Sequence, residues 1–147
     1  MGGRYPKHLD PGIFGNFKPD PDSAVAAALH WPGIVVFSGL GEDIPTGAKL
    51  RATSPPNTPA RKGYDLYLGK APTRPSWDPV ALLYAVRPEA EFWEVHRGGK
   101  NYIFANGTNE WRPGEETNQR LLQLKPGMRE KLTQTLEDLI ATQPKSK

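Results

Sequence analysis

The sequence contains no cysteine, which excludes a disulfide framework and a thiolate metal site and suits a reducing compartment. It has no run of about 18 apolar residues, so no membrane-spanning helix is expected. The opening Met1-Gly2-Gly3-Arg4-Tyr5-Pro6 lacks the apolar core of a signal peptide, and a soluble, cytoplasmic protein is the default expectation. Internal repeats are absent. Positive charge is only in slight excess, at +3, and the lysines and arginines are scattered, so no nucleic-acid surface is expected. Aspartates nowhere gather at the end of an apolar strand.

A chain of 147 residues fits one domain. Its 16 prolines and 15 glycines fall between periodic segments, which implies many short elements joined by loops. The stretch that organises the rest is Arg74-Pro75-Ser76-Trp77-Asp78-Pro79, standing before the apolar run Val80 to Val86. Asp78 as N-cap and Pro79 at the first helical position predict a helix, and Ala and Leu propagate it. A segment apolar on every side is expected to run through the interior and bring its N-terminus to the floor of a cleft. As an ordinary cap, Asp78 is worth about 1 kcal/mol.

Upstream, Gly15-Asn16 reads as a turn pair. Asp20-Pro21 predicts a capped helix with Val25, Ala28 and Leu29 on one face, His30 in its last turn and a stop at Trp31-Pro32. Ile34-Val35-Val36-Phe37 predicts a buried parallel strand, and Glu42 and Asp43 a solvated loop. Leu50 to Pro59 reads as loop, and Asn57-Thr58-Pro59 as the start of a helix carrying Tyr64, Leu66, Tyr67 and Leu68. Arg61, Lys62 and Lys70 read as a solvated face.

Downstream, Phe92 to His96, Tyr102 to Phe104 and Thr108 to Arg112 predict a β-meander, turning at Gly98-Gly99-Lys100 and Asn106-Gly107, with Leu121, Leu122 and Leu124 in a last strand. His96 is a weak metal candidate, having no second ligand at ligand spacing. Pro126 is expected to open a closing helix with Met128, Leu132, Leu136, Leu139 and Ile140 as its apolar stripe and Glu130, Lys131, Glu137 and Asp138 elsewhere.

The segment Arg74 to Arg87 resembles the late helix of the inosine/uridine-preferring nucleoside hydrolases, which a His-Asp or Trp-Asp pair opens. The resemblance implies that Asp78 is a ligand of a catalytic calcium. Trp77 stands at the position of the family's leaving-group histidine, where tryptophan can stack on a base but cannot protonate it. Met1-Gly2-Gly3 and the segment Asn16 to Ala24 resemble the family's Met-Gly-Gly strand end and its ribose-binding asparagine, which carries over to Asn16 and, more weakly, to Met1. Asparagine suits that task, offering donors and an acceptor to sugar hydroxyls. Phe14 stands where the family has a second ribose-gripping residue, a glutamate, and Lys7 to Asp10 offer no counterpart to a further asparagine. Phe37-Ser38-Gly39 and the loop Gly41 to Gly47 resemble a family strand and a shortened form of its following loop.

The fold so implied is α/β: the C-terminal half of a doubly wound mixed sheet, with a β-meander and a C-terminal helix. It occupies residues 1–142, with 143–147 as tail. The aspartate-rich N-terminal half of the family fold, with most calcium ligands and the aspartate that activates water, has no counterpart here, so no catalytic residue is assigned. Asp78 alone is too little for calcium, which takes roughly six to eight oxygen ligands. The expectation is a fragment of a calcium-dependent nucleoside N-ribohydrolase, inactive by itself, and the competing one a non-catalytic module that holds a sugar or a partner. A ribonucleoside is the expected ligand, and a missing N-terminal half or a second copy the expected partner. Ile34 to Phe37 and Val80 to Val86 are expected to expose apolar surface to water.

Overall fold

The computed structural model describes residues 1–12 and 15–142; the predicted tail, 143–147, lies outside them. In chain order the elements are β1 (Lys7–His8), α1 (Pro21–His30), β2 (Val35–Ser38), β3 (Pro45–Thr46), α2 (Ala48–Thr53), α3 (Pro59–Leu68), β4 (Arg74–Pro75), α4 (Trp77–Val86), β5 (Trp93–Ile103), β6 (Asn109–Leu124) and α5 (Arg129–Ala141). The class is α/β with a mixed sheet.

β6 is the spine of the sheet. β5 runs antiparallel along one edge of it, while β1 and β2 share the other, β2 in parallel with Val35 opposite Gln119 and Ser38 opposite Leu122. Side chains alternate between the faces of such a sheet, and two cores result. Leu122 faces Val80, Leu83, Trp93, Leu132 and Leu136 on the side of α4 and α5. Phe37, Trp111 and Leu121 face Ala28 of α1 on the other. The parallel strand predicted from the β-branched run is therefore present, half-buried because β2 pairs on one edge only among the described residues. β3 and β4 form a separate two-stranded ladder that sets Thr46 opposite Arg74.

The predicted meander is not. Gly98 and Gly99 lie inside the single strand β5, at register shifts against β6, and the chain reverses only at Asn106-Gly107. Gly99 sits at φ +124°, and a Cβ there would come within 2.5 Å of the Arg112 carbonyl oxygen. Paired glycines thus permit a bulge in close contact with the partner strand rather than a turn. His96 spends its Nε2 on Gln123 Oε1 at 2.6 Å.

The helix at Asp20-Pro21 forms as predicted, the Asp20 carboxylate accepting from the Ser23 N–H at 3.0 Å. Ser23 also holds the Asp20 carboxyl below its ordinary value. α4 begins two residues earlier than expected, with Ser76 and not Asp78 at the N-cap. Pro79 is then the third helical residue, which is tolerated because the first four N–H groups of a helix have no partner inside it. Nor is α4 covered all round: Val80 and Leu83 are buried, but Leu82 and Val86 are each 64% exposed, as is Ile34 before β2.

Four further expectations are corrected. Residues within Leu50 to Pro59 include most of α2, and α5 starts at Arg129, not at Pro126. Arg61 is no solvated lysine-like charge, since it pairs with Asp65 and donates to the carbonyls of Arg51 and Ser54. Glu137 is buried, accepting from the N–H groups of Ala48 and Lys49 at 3.0 and 3.3 Å. It does for α2 what Gly47, the N-cap without a side chain, cannot.

Candidate functional site: a cleft at the start of α4

The chain leaves β2 at Gly39, and beyond this carboxyl end opens a cleft of about 480 Å³. Crevices outside the carboxyl ends of strands are the usual ligand sites of open α/β sheets. Two walls meet here.

One wall is the first segment of the chain, Met1 to Arg4. The Gly2 N–H donates to the Ser38 carbonyl at 3.2 Å, extending the sheet beyond β2. Tyr5 donates its hydroxyl to the Gly2 carbonyl at 3.0 Å, and burial pushes its phenol pKa up. The fully buried Asn109 binds the Arg4 N–H and carbonyl at 3.1 and 3.0 Å. Asn16 completes this wall, its amide Nδ2 within 3.3 Å of both the carbonyl oxygen and the thioether sulfur of Met1.

The other wall is the start of α4. Gly41 stands at φ +120°, and a Cβ there would meet the Trp77 nitrogen at 2.5 Å, so only glycine lets the loop after β2 touch the helix start. The Gly41 carbonyl accepts from the Ser76 N–H at 2.8 Å. Trp77 and Asp78 then face the cleft from the first turn of α4. Asp78 is exposed and has no hydrogen bond or ion pair among the described residues, in a position where the helix dipole favours negative charge.

Met1, Asn16, Trp77 and Asp78, singled out from the sequence, thus line one cleft. Phe14 lies outside the described residues. No family model, curated protein or solved structure matches the chain. What the cleft can do is therefore argued from its own side chains.

Five of these were not marked in the sequence as site residues. Arg4 and Glu42 form an exposed ion pair at 3.2 Å across the mouth. Arg74 and Tyr67 stack, the guanidinium carbon 4.2 Å from the ring centroid. Exposed α3 supplies Tyr67, and the β3–β4 ladder fixes Arg74. His8 lines the cleft too, more than nine-tenths buried, its Nε2 without a hydrogen-bond partner. A lone histidine in a polar stretch carries no signal of this. A second groove of about 460 Å³ between α3 and α4 shares Tyr67, Arg74 and Asp78 with the first.

The donor set does not fit calcium on its own. Asp78 and Glu42 are the carboxylates of the cleft, Glu42 is engaged by Arg4, and no group of three metal-ligating side chains occurs among the described residues. That falls short of a calcium shell. What the cleft offers is an amide for hydroxyls, aromatic faces for a planar ring, and one unpaired carboxylate.

Proposed function

We propose that this chain is the sugar- and base-binding wall of a nucleoside-hydrolase-like cleft, and that by itself it binds ribonucleosides without hydrolysing them. One observation carries the reading: Met1, Asn16, Trp77 and Asp78, distant in sequence and chosen by resemblance, share one cleft. Asn16 holds a ribose hydroxyl through its amide, and Asp78 accepts from a neighbouring one. Trp77 offers a face to the base. Hydrolysis in that family rests on an aspartate-rich calcium shell and a water-activating aspartate, and the carboxylates of this cleft, Asp78 and the Arg4-engaged Glu42, fall short of that set. The doubly wound topology and the calcium of that family belong to the same proposal, with the remaining carboxylates supplied by a partner chain.

A second reading draws on the exposed Ile34, Leu82 and Val86 and on the open edge of β2. These suit a chain whose sheet continues into a covering half, so that the cleft is completed by association.

NMR titration with ribose, inosine and uridine tests the first reading, with free ribose assayed after incubation in millimolar calcium. Saturable shifts at Asn16, Trp77 and Asp78 that disappear in Asn16→Ala, with no ribose released, are expected. Absence of binding to any of the three overturns nucleoside recognition. Ribose release above that of an Asp78→Ala control overturns the claim that the chain is inactive alone.

A further inference from the structure

Arg74 is the arginine of the cleft that no carboxylate neutralises among the described residues. Arg4 is engaged by Glu42, whereas the Arg74 guanidinium has no ion pair or side-chain hydrogen bond among the described residues. It is nevertheless well placed. Pairing of Arg74 with Thr46 anchors its backbone, and its guanidinium carbon lies 4.2 Å from the Tyr67 ring centroid and 6.0 Å from that of Trp77. Stacking uses the face of a guanidinium and leaves its in-plane N–H donors free. Arginine has five such donors and no acceptor.

A planar fork of donors beside two aromatic rings is complementary to a planar ligand whose edge carries two adjacent acceptors. Among nucleobases the 6-oxopurines have that edge, with O6 beside N7. Adenine places an amino donor where O6 would be, and a donor facing a donor is repelled. Uracil presents a lone carbonyl on the corresponding edge, sufficient for one hydrogen bond. Resting on the nucleoside-binding reading above, we infer that Arg74 is the specificity-determining residue of this cleft and selects 6-oxopurine ribonucleosides over adenosine and uridine. Tyr67 is a positioning residue in this scheme, since it acts by holding the guanidinium plane.

The test is a titration of the full chain with inosine, guanosine, adenosine, uridine and ribose, for the wild type, Arg74→Met and Arg74→Lys. Methionine retains a stem over Tyr67 without donors, and lysine retains the charge without the fork; circular dichroism checks that both fold. Inosine and guanosine are expected to bind the wild type about tenfold tighter than adenosine and uridine, near the low end of what a bidentate arginine contact to a purine edge is worth. Arg74→Met is expected to abolish that difference and leave ribose binding unchanged, and Arg74→Lys to restore none of it. Equal affinities in the wild type overturn the inference even if neither variant folds. So does selectivity that survives in Arg74→Met or returns in Arg74→Lys. Failure of every ligand, ribose included, overturns the nucleoside reading itself, whereas ribose binding without base discrimination overturns only the role of Arg74.

Discussion

The hydroxyls of Thr46 and Ser76 lie 2.7 Å apart, with both side chains shut away from solvent. This contact joins the β3–β4 ladder to the N-cap of α4, and it continues to the Tyr64 hydroxyl, 3.0 Å from Thr46. The position of Trp77 and Asp78 is thus set by a buried chain of hydroxyls. Thr46→Val preserves the shape and removes the shared hydroxyl. It is expected to lower unfolding free energy by about 1–3 kcal/mol, the penalty for leaving buried polar groups unpaired, as measured by urea denaturation. An unchanged urea midpoint would show that the hydroxyl chain does not hold the cleft wall.

Glu137 ties α5 to α2 across a long stretch of sequence. Glu137→Ala removes both acceptors at the start of α2 and is expected to cost about 1–3 kcal/mol. Glu137→Gln, which keeps one carbonyl acceptor, should lie between the two. The check is the ordering of the three melting temperatures; equality of Glu137→Gln and Glu137→Ala contradicts it.

Asp65 anchors α3. Its carboxylate takes the Arg61 Nε at 2.7 Å and the Arg51 Nε at 2.8 Å. The Arg61 hydrogen bond above all holds its pKa below the ordinary 3.8. A carboxyl with a depressed folded-state pKa stabilises fully above its unfolded value and loses that contribution as pH falls through the folded one. Asp65→Asn is therefore expected to melt below the wild type at neutral pH, and the gap to close as pH drops below about 3.8. A gap that widens in acid contradicts the assignment.

Exposed Leu82 and Val86, one turn apart on α4, together with exposed Ile34 before β2, predict that the purified chain binds hydrophobic dye or self-associates. Leu82→Lys combined with Val86→Lys should reduce both signals without unfolding α4, whose Val80 and Leu83 remain buried. A dye-negative, monodisperse wild-type chain would leave the covering-half reading without support.

Local signals in the sequence were reliable where the physics is local. Asp20-Pro21 names its own helix, and the β-branched run before Ser38 names its own parallel strand. Misreadings arose where distant partners decide. Gly98-Gly99 resembles a turn until the carbonyl of Arg112 is placed against it. Glu137 looks solvated on its own helix because the N–H groups it binds belong to another. Within the cleft, Asn16 and Asp78 were legible through motif resemblance, whereas His8 and Arg74 matter through burial and stacking, which no local window records.

Leu121 and Leu122 are sequence neighbours, yet they belong to cores on opposite faces of the sheet. Pulling β6 away would empty both at once, so neither face can open while the other stays closed. Amide hydrogens from Gln119 to Leu122, paired with β2, should accordingly exchange with solvent deuterium only through global unfolding. Those of α3, which buries no residue, should exchange through small local openings. Tyr67 would then ride on the most readily released helix beside the cleft, while the strand behind Ser38 and Gly39 is the last part of the molecule to let go.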